Sequence, residues 1–365
     1  MPTRRIRVLI VDDSAIVRKV LGEMLAAEPD LEVAGTAPDP YVARDRILAL
    51  HPDVLTLDIE MPRMDGLTFL KKLMRFHPMP VVLLSSLAPA SCSAAIAAMQ
   101  LGGAVEVLAK PGGPYSVGDL RRVLPEKIRA VAQSNRALRP GGAAPAPEAR
   151  LPLAPSQPDG VRGLDPRLSK DAVIAIGAST GGTEAIASIL RRLPAGLPPI
   201  LIVQHIPPVF SLAFAQRLNE IGALQVKEAE DGDTLAPGRA LVAPGNSHMV
   251  LRRGRSVRVL DGPKVCYHRP SVDVLFQSVA EIAAQRSVGV LLTGMGEDGA
   301  KGLLKMRQAG ARTLIQDEAT SVVFGMPREA LKLGAAEQVV PLPDIPQRLL
   351  AALQNLGTAL APAVR

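Results

Sequence analysis

Apolar and polar residues alternate regularly through the first 138 residues of the chain. Short apolar runs, typical of buried strands, are followed by stretches in which apolar residues recur every three or four positions, as on one helix face. Predicted strands lie at 7–11, 31–36, 54–57, 81–84 and 106–109, and predicted helices cover the apolar stripes near 16–25, 41–50, 67–76 and 94–101. This alternation predicts repeated βα units and a five-stranded parallel sheet.

The pattern changes between residues 139 and 169, where Pro, Gly and Ala dominate and the apolar periodicity is lost. Such a composition is typical of an extended linker. We therefore predict a first domain at 1–138, a linker at 139–169 and a second domain at 170–365.

Alternation resumes beyond the linker. Predicted strands lie at 172–176, 200–204, 288–292 and 312–316, and predicted helices at 183–193, 209–221, 271–284 and 300–309. A hairpin is predicted at 249–260, turning on Arg253 and Gly254. The second domain is therefore predicted to be a doubly wound, mostly parallel α/β fold.

The composition limits the cellular locations and binding partners to be expected. Two cysteines in 365 residues favour a reducing compartment, and Asp12 and Asp13 interrupt the first apolar run too early for a signal peptide. The uncharged stretch 78–105 contains Pro89 and two adjacent glycines, which argues against membrane insertion. The net charge of +7 is spread along the chain without interleaved aromatic residues, which argues against nucleic acid as a partner. We expect a cytoplasmic protein.

Charged and polar residues follow four predicted strands of the first domain: Asp12 and Asp13, Asp58, Ser85, and Lys110. Because the carboxyl ends of parallel strands meet at one sheet edge, we expect these side chains to converge. The three carboxylates form a hard oxygen site suited to Mg²⁺, beside which Asp58 can accept a phosphoryl group. Taken singly, each acidic residue is better explained as a helix N-cap or a solvated loop residue, and only their joint placement favours the metal site.

The motifs around these residues resemble response-regulator receivers. They read Val11-Asp12-Asp13-Ser14, Leu57-Asp58-Ile59-Glu60-Met61-Pro62, and Ala109-Lys110-Pro111. The resemblance implies a flavodoxin-like fold in which Asp12, Asp13 and Asp58 hold the metal, Asp58 accepts phosphate, and Ser85 and Lys110 sense it. Val107 departs from the family pattern, because many receivers carry an aromatic switch residue there.

Ser179 follows a predicted strand in Gly177-Ala178-Ser179-Thr180-Gly181 and precedes a predicted helix. A G-x-S-x-G turn exposes a nucleophilic hydroxyl and leaves backbone N–H groups at the helix start for an oxyanion. The same glycine-rich turn also suits a phosphate-binding loop.

His205 and Asp298 also follow predicted strands, so serine, base and acid can meet above one sheet. In that arrangement His205 takes the proton of Ser179, and Asp298 orients the imidazole. The chain order of serine, histidine and aspartate differs from that of α/β-hydrolases, which place the acid second.

Two other functions compete with hydrolysis. Gly294-x-Gly296-x-x-Gly299, with Asp317 further on, also matches a dinucleotide-binding fingerprint. A receiver-controlled DNA-binding regulator is the other alternative, but the strands and helices after residue 170 are not typical of a helix-turn-helix output domain.

The whole chain resembles the chemotaxis protein-glutamate methylesterases, which also act as glutamine deamidases. The resemblance rests on the receiver motifs, the linker, Gly177 to Gly182, Gln204-His205, and Gly294 to Gly299. It implies catalysis by Ser179, His205 and Asp298, with Thr180 and Met295 lining the site. It also implies methyl-accepting chemoreceptors as substrates, releasing methanol, and the chemotaxis histidine kinase as phosphodonor.

Overall fold

The computed structural model describes residues 4–86, 88–99, 105–110, 117–134 and 170–360. The chain divides into two compact units, Met1–Arg150 and Leu151–Arg365, and each is described by itself. The predicted linker at 139–169 lies outside the described residues, so its boundaries stay a prediction.

The first unit alternates strands and helices. Its elements are β1 (Ile6–Val11), α1 (Ala15–Ala26), β2 (Leu31–Ala37), α2 (Pro40–Leu50), β3 (Val54–Asp58), α3 (Gly66–Phe76), β4 (Val81–Ser85), α4 (Pro89–Ala98), β5 (Val105–Ala109) and α5 (Val117–Ser134). All strand pairs are parallel, in the order β2-β1-β3-β4-β5. The predicted five-stranded parallel sheet is confirmed, and this order is that of flavodoxin-like folds.

One helix of this unit starts earlier than predicted. The apolar stripe suggested a start at residue 94, whereas α4 begins at Pro89, which occupies the first turn. Proline suits that position because the first helical N–H groups have no partner within the helix. The predicted end at residue 101 lies outside the described residues.

The strand order explains where the polar residues gather. Strand β1 lies between β2 and β3, so the chain adds β2 on one side of β1 and the later strands on the other side. Ligand sites of open α/β sheets form at such a point, beyond the carboxyl ends of the strands. Asp12 follows β1 and Asp58 ends β3, which makes them neighbours across this crevice.

The second unit is larger. Its elements are β6 (Val173–Ala178), α6 (Gly182–Arg192), β7 (Ile200–Gln204), α7 (Phe210–Ile221), β8 (Gln225–Glu228), β9 (Arg239–Val242), β10 (His248–Arg252), β11 (Ser256–Leu260), α8 (Val272–Ile282), β12 (Ser287–Leu291), α9 (Ala300–Gln308), β13 (Arg312–Gln316), α10 (Met326–Lys332), β14 (Gln338–Val340) and α11 (Ile345–Leu360). Seven strands form one parallel sheet in the order β14-β13-β12-β6-β7-β9-β8.

Both faces of this sheet are covered. Val173 and Ala175 of β6 belong to a buried cluster that includes residues of α8 and α9. Their neighbours Ile174 and Ile176 point to the opposite face and are equally buried. A parallel sheet buried on both faces is the predicted doubly wound architecture, with β6 near its centre.

The predicted hairpin is also present. Strands β10 and β11 pair antiparallel, and Gly254 in the turn between them has a φ of +85°. None of the helices in the described parts of the chain is long and apolar enough to cross a membrane.

Gly66 provides a test of the packing in the first unit. A Cβ at this position would lie 2.0 Å from the backbone oxygen of Asp58, whereas one at Gly22 would meet nothing within 4 Å. Gly66→Ala should therefore lower the free energy of unfolding by ~1–3 kcal/mol or more. Gly22→Ala, inside α1, should raise it by ~0.5–1 kcal/mol. Calorimetry of the full chain, following the unfolding of the first unit, measures both changes, and shifts of the same sign would contradict the packing at Gly66.

Candidate active site and phosphorylation site

Three carboxylates cluster at the sheet edge of the first unit. Asp12 and Asp58 are fully buried and Asp13 is exposed, and one ligand oxygen of each lies within 4.8 Å of the others. Backbone N–H groups hold two of them, since Ser14 donates to Asp12 Oδ1 at 2.9 Å and Glu60 to Asp58 Oδ1 at 3.1 Å. The predicted convergence is present, and its all-oxygen donor set fits a hard divalent cation.

Lys110 supplies the positive charge next to these acids. Its Nζ lies 2.7 Å from Asp58 Oδ2 and 3.0 Å from Asp12 Oδ2. The Lys110 backbone N–H donates to the carbonyl of Ser85 at 2.8 Å, which fixes the lysine at the ends of β4 and β5. Burial opposes its charge, but hydrogen bonds to Asp58 and Asp12 and their negative charge raise the pKa of Lys110 above its usual range.

Burial disfavours the charged form of Asp58. Burial raises the pKa of Asp58 to about 6, although Lys110 acts in the opposite direction. The negative charge of Asp12 adds to the increase. A buried carboxylate with one neighbouring lysine therefore carries its charge at a cost.

Ser85 ends β4 and is fully buried. Its hydroxyl donates a 2.8 Å hydrogen bond to the carbonyl of Ser86. Val107 is buried in β5 at 2% exposure, so this position holds a core residue.

Glu60 has contacts that the sequence reasoning missed. Its carboxylate accepts hydrogen bonds from the hydroxyls of Ser86 and Ser91, which lie after β4 and within α4. These bonds lower the pKa of Glu60. The loop after Asp58 is thereby tied to the start of α4.

Ser179 of the second unit lies between β6 and α6, as predicted. The turn is tight, because the N–H of Gly182 donates to the Ser179 carbonyl at 2.7 Å and Gly181 has a φ of +77°. A Cβ on Gly182 would lie 2.2 Å from Gln204 Oε1, so a larger residue would disturb the turn. Ser179 itself is 2% exposed.

His205 and Asp298 are in direct contact. His205 Nε2 lies 2.8 Å from Asp298 Oδ2, and both residues are buried. With the Nε2 proton bonded to Asp298, the other ring nitrogen, Nδ1, is left as the acceptor. Nδ1 is buried and has no hydrogen-bond partner in the described parts of the chain.

Asp298 also holds the beginning of α8. Oδ1 accepts from the Ser271 hydroxyl at 2.7 Å and the Asp273 N–H at 3.1 Å, and Oδ2 accepts from the Val272 N–H at 2.7 Å. Asp298 precedes α9, but that helix has Gly299 as its N-cap, without a side-chain bond. The carboxylate therefore caps a different helix from the one it precedes.

These donors determine the charge of Asp298. Burial favours its neutral form, but the His205 hydrogen bond and charge, with those from Ser271 and Val272, lower its pKa to about 2. Because this folded pKa lies below the ordinary value of 3.8, the ionised carboxylate stabilises the fold above pH 3.8, and the contribution is lost as the pH falls towards 2.

Ser179 is held beside this pair mainly through backbone contacts. Gln204 Nε2 donates to the Ser179 carbonyl at 2.7 Å, and the His205 N–H donates to the Ala178 carbonyl at 3.0 Å. On the other side, a Cβ on Gly294 would lie 2.7 Å from Ser179 Cβ. The structure therefore brings the three predicted residues to adjoining strand ends, with a side-chain hydrogen bond between His205 and Asp298.

Thr180 follows Ser179 directly in the chain, and Met295 lies in the loop that carries Asp298. Thr180 is buried at 1% exposure, and its carbonyl accepts a 3.0 Å hydrogen bond from the Thr293 hydroxyl. Met295 follows Gly294 and is half-buried. The contact of Thr293 with the Ser179 turn was not predicted. Its position directly before Gly294 is the sequence feature that could have indicated it.

His268 is a second contact that sequence reasoning missed. Its ring stacks on that of His205, with centroids 3.7 Å apart and an interplanar angle of 11°. No recognisable spacing joins residues 205 and 268, so the sequence carried no signal for this pair.

Asp317, the acidic residue of the alternative dinucleotide fingerprint, is engaged in its own turn. Its Oδ1 accepts hydrogen bonds from the N–H and hydroxyl of Thr320. Within the glycine loop, Asp298 is directed at His205. This arrangement favours a hydrolytic site over a nucleotide site.

Similarity to known proteins covers both units. A family model for CheB methylesterase matches residues 174–349, and one for the response regulator receiver domain matches residues 8–119. A protein-glutamate methylesterase/protein-glutamine glutaminase of Anaeromyxobacter dehalogenans is 53% identical over 356 residues, which cover 95% of this chain and 96% of the relative.

Two further relatives carry the same name. The protein of Syntrophus aciditrophicus is 51% identical, covering 95% of this chain and 98% of the relative. The protein of Escherichia coli is 49% identical, covering 98% of this chain and 99% of the relative. The chain therefore belongs to the family of receiver-regulated protein-glutamate methylesterases/protein-glutamine glutaminases.

Proposed function

We propose that this chain hydrolyses glutamate γ-methyl esters on methyl-accepting chemoreceptors and deamidates receptor glutamines, under control of phosphorylation on its receiver. The observation that carries the proposal is the buried His205–Asp298 hydrogen bond beside the Ser179 turn. Full-length similarity to named methylesterases supports the substrate.

Acylation starts with transfer of the Ser179 hydroxyl proton to His205 Nδ1. The serine oxygen attacks the γ-carbonyl carbon, and Asp298 stabilises the imidazolium that forms. The tetrahedral intermediate breaks its bond to the methoxy oxygen, which leaves as methanol after taking the proton from His205. Glutamate is then attached to Ser179 as an ester.

Deacylation repeats these steps with water. His205 removes a proton from the water, whose oxygen attacks the same carbon, and the proton passes to the Ser179 oxygen as it leaves. The products are a glutamate carboxylate and the regenerated serine. For a glutamine substrate the first leaving group is ammonia instead of methanol.

The developing oxyanion needs hydrogen-bond donors near the start of α6. The first backbone N–H groups of a helix have no acceptor within it, and Ser179 precedes this start, where the N–H of Gly182 already donates to the Ser179 carbonyl. We assign the lining of the site to Thr180 and Met295. The low pKa of Asp298 supports its role as a permanent anion in this mechanism.

In the receiver, Asp58 is the proposed phosphoryl acceptor. Asp12, Asp13 and Asp58 would hold Mg²⁺, which offsets the negative charge of the donor when bound. An Asp58 oxygen forms the new bond to phosphorus as the donor's bond to that atom breaks. Lys110 pairs with the resulting phosphoryl oxygens, and Ser85 donates its hydroxyl to one of them. The phosphodonor is the chemotaxis histidine kinase. The proposed location is the cytoplasm, which suits two free cysteines.

Loss of the nucleophile or the base should abolish turnover. Ser179→Ala or His205→Ala should each reduce methanol release by about 10⁴-fold or more, since the two act as a unit. Asp298→Asn should cost about 10³ to 10⁴-fold, because an amide supports the wrong imidazole tautomer. Methanol released from a methylated receptor measures the rates, and circular dichroism confirms folding. More than about a tenth of the rate in folded Ser179→Ala protein would refute the nucleophile.

Phosphorylation should depend on the carboxylate cluster. Acetyl phosphate should label Asp58 only with Mg²⁺ present, and Asp13→Ala should weaken labelling by removing a metal ligand. Mass spectrometry after reduction of the acyl phosphate locates the group. Exposed Asp45 supplies the control, because Asp45→Ala lies outside the cluster and should label normally. Phosphate on a serine or histidine would contradict the assignment.

The receiver should restrain the esterase until it is phosphorylated. A fragment beginning at residue 167 should be more active than the unphosphorylated full chain, and Asp58→Ala should hold the full chain at its basal rate. Coupling free energies of about 1–3 kcal/mol correspond to roughly 5 to 150-fold activation. Methanol release with and without phosphodonor measures the effect. A fragment no faster than the full chain would mean that phosphorylation assists catalysis or docking instead.

A further inference from the structure

The segment joining β11 to α8 contains a tight two-residue turn. Val265 and His268 exchange both backbone hydrogen bonds, at 3.0 and 2.8 Å, with Cys266 and Tyr267 between them. Cys266 has a φ of +47° and Tyr267 a φ of +67°. Two central residues at positive φ are the mark of a type I′ turn.

This turn lies against the catalytic centre. On one side the His268 ring stacks on His205 at 3.7 Å, and on the other Cys266 Sγ lies 4.0 Å from Glu297 Oε1 in the loop that carries Asp298. Tyr267, between these two contacts, is therefore at the tip of a turn that borders both the base and its acid.

The residues at the tip do not suit their backbone. Asn, Asp and Gly are preferred in type I′ turns, whereas cysteine and tyrosine pay a conformational cost at positive φ. The Tyr267 side chain is 72% exposed, so most of its surface faces solvent. Strained residues beside an active site point to a functional reason for the side chain.

Tyrosine is well suited to contact another protein. Its rigid ring supplies apolar area at a low entropic cost, and its hydroxyl supplies a hydrogen bond. In the described part of the second unit, the exposed large apolar side chains are Leu212, Tyr267, Leu331, Leu333 and Val339. Tyr267 is the most exposed of them and the only aromatic one.

We propose that Tyr267 is a docking residue for the protein substrate, and that its ring packs on the receptor surface flanking the ester. His205 is only 8% exposed, so the glutamyl side chain enters a narrow site while its surrounding protein stays outside. Tyr267 is next in the chain to His268, whose ring stacks on that of His205, so the turn brings an exposed aromatic residue close to that site. The ring therefore contributes to substrate binding and takes no part in bond breaking. This inference rests on the proposed methylesterase function.

Tyr267→Asn in the full chain is the decisive variant, because asparagine accepts positive φ and removes the ring without harming the turn. Its kinetics are measured on a methylated cytoplasmic receptor fragment and on a single blocked glutamate γ-methyl ester. We expect the ratio of kcat/KM for the receptor fragment to that for the small ester to fall about tenfold, through KM on the fragment. The melting temperature should rise, since the strain is relieved.

Two matched variants complete the experiment. Tyr267→Phe keeps the ring and should retain the ratio within about twofold. Val339→Ala truncates another exposed apolar residue, on β14 at the far edge of the sheet, and should leave both substrates unaffected.

Other outcomes separate this inference from the proposed function. An unchanged ratio in Tyr267→Asn would overturn the docking role, and so would an equal loss on both substrates, which would mean that the turn only supports His205. Failure of the unaltered chain to hydrolyse either ester would instead contradict the proposed function.

Discussion

The buried carboxylate of Asp298 organises the catalytic unit. Its two oxygens accept hydrogen bonds from His205, the Ser271 hydroxyl, and the first two N–H groups of α8. These donors come from the end of β7 and from the start of a helix, while Asp298 itself follows β12. A charge this deeply buried is tolerated only when it is fully hydrogen-bonded, so the three segments must meet at one point. The orientation of His205 follows from that requirement.

Glycines near Ser179 follow from the same constraint. A Cβ on Gly177 would lie 2.2 Å from Val272 Cγ1, and one on Gly299 would lie 2.7 Å from the same atom. Val272 is the first residue of α8, and its N–H is one of the donors to Asp298. Side chains at Gly177 or Gly299 would push the helix start away from the carboxylate. The glycines that suggested a nucleophile turn and a nucleotide loop therefore also allow α8 to approach.

Sequence reasoning succeeded where local pattern and tertiary position coincide. Central strands such as β6 are continuous apolar runs, and the residues that follow them were correctly placed beyond the carboxyl ends of the strands. It missed β8 and β14, which are short, partly polar and at the edges of the sheet, so neither burial nor alternation marks them. It also missed β9, a buried strand of only four residues between β7 and β8. It also missed the stacking of His268 on His205. It did not predict that Asp298 caps α8 and not α9, the helix that follows it in the chain. These contacts depend on how segments distant in sequence pack, which no local spacing reveals.

Each unit has a buried carboxylate near the carboxyl end of an inner parallel strand. Asp58 is the last residue of β3, Asp298 lies in the loop after β12, and their pKa values shift in opposite directions. Asp298 has a hydrogen-bond donor for every approach to its oxygens, and its pKa is lowered to about 2. It is stable as an anion, and its occupied lone pairs make it a poor nucleophile. Asp58 has the N–H of Glu60, one neighbouring lysine and the repulsion of Asp12, and burial raises its pKa to about 6. Its charge is poorly compensated, so binding a cation or forming a bond to phosphorus relieves an unfavourable state. The donors around Asp298 therefore favour its anion, whereas burial disfavours the charge on Asp58.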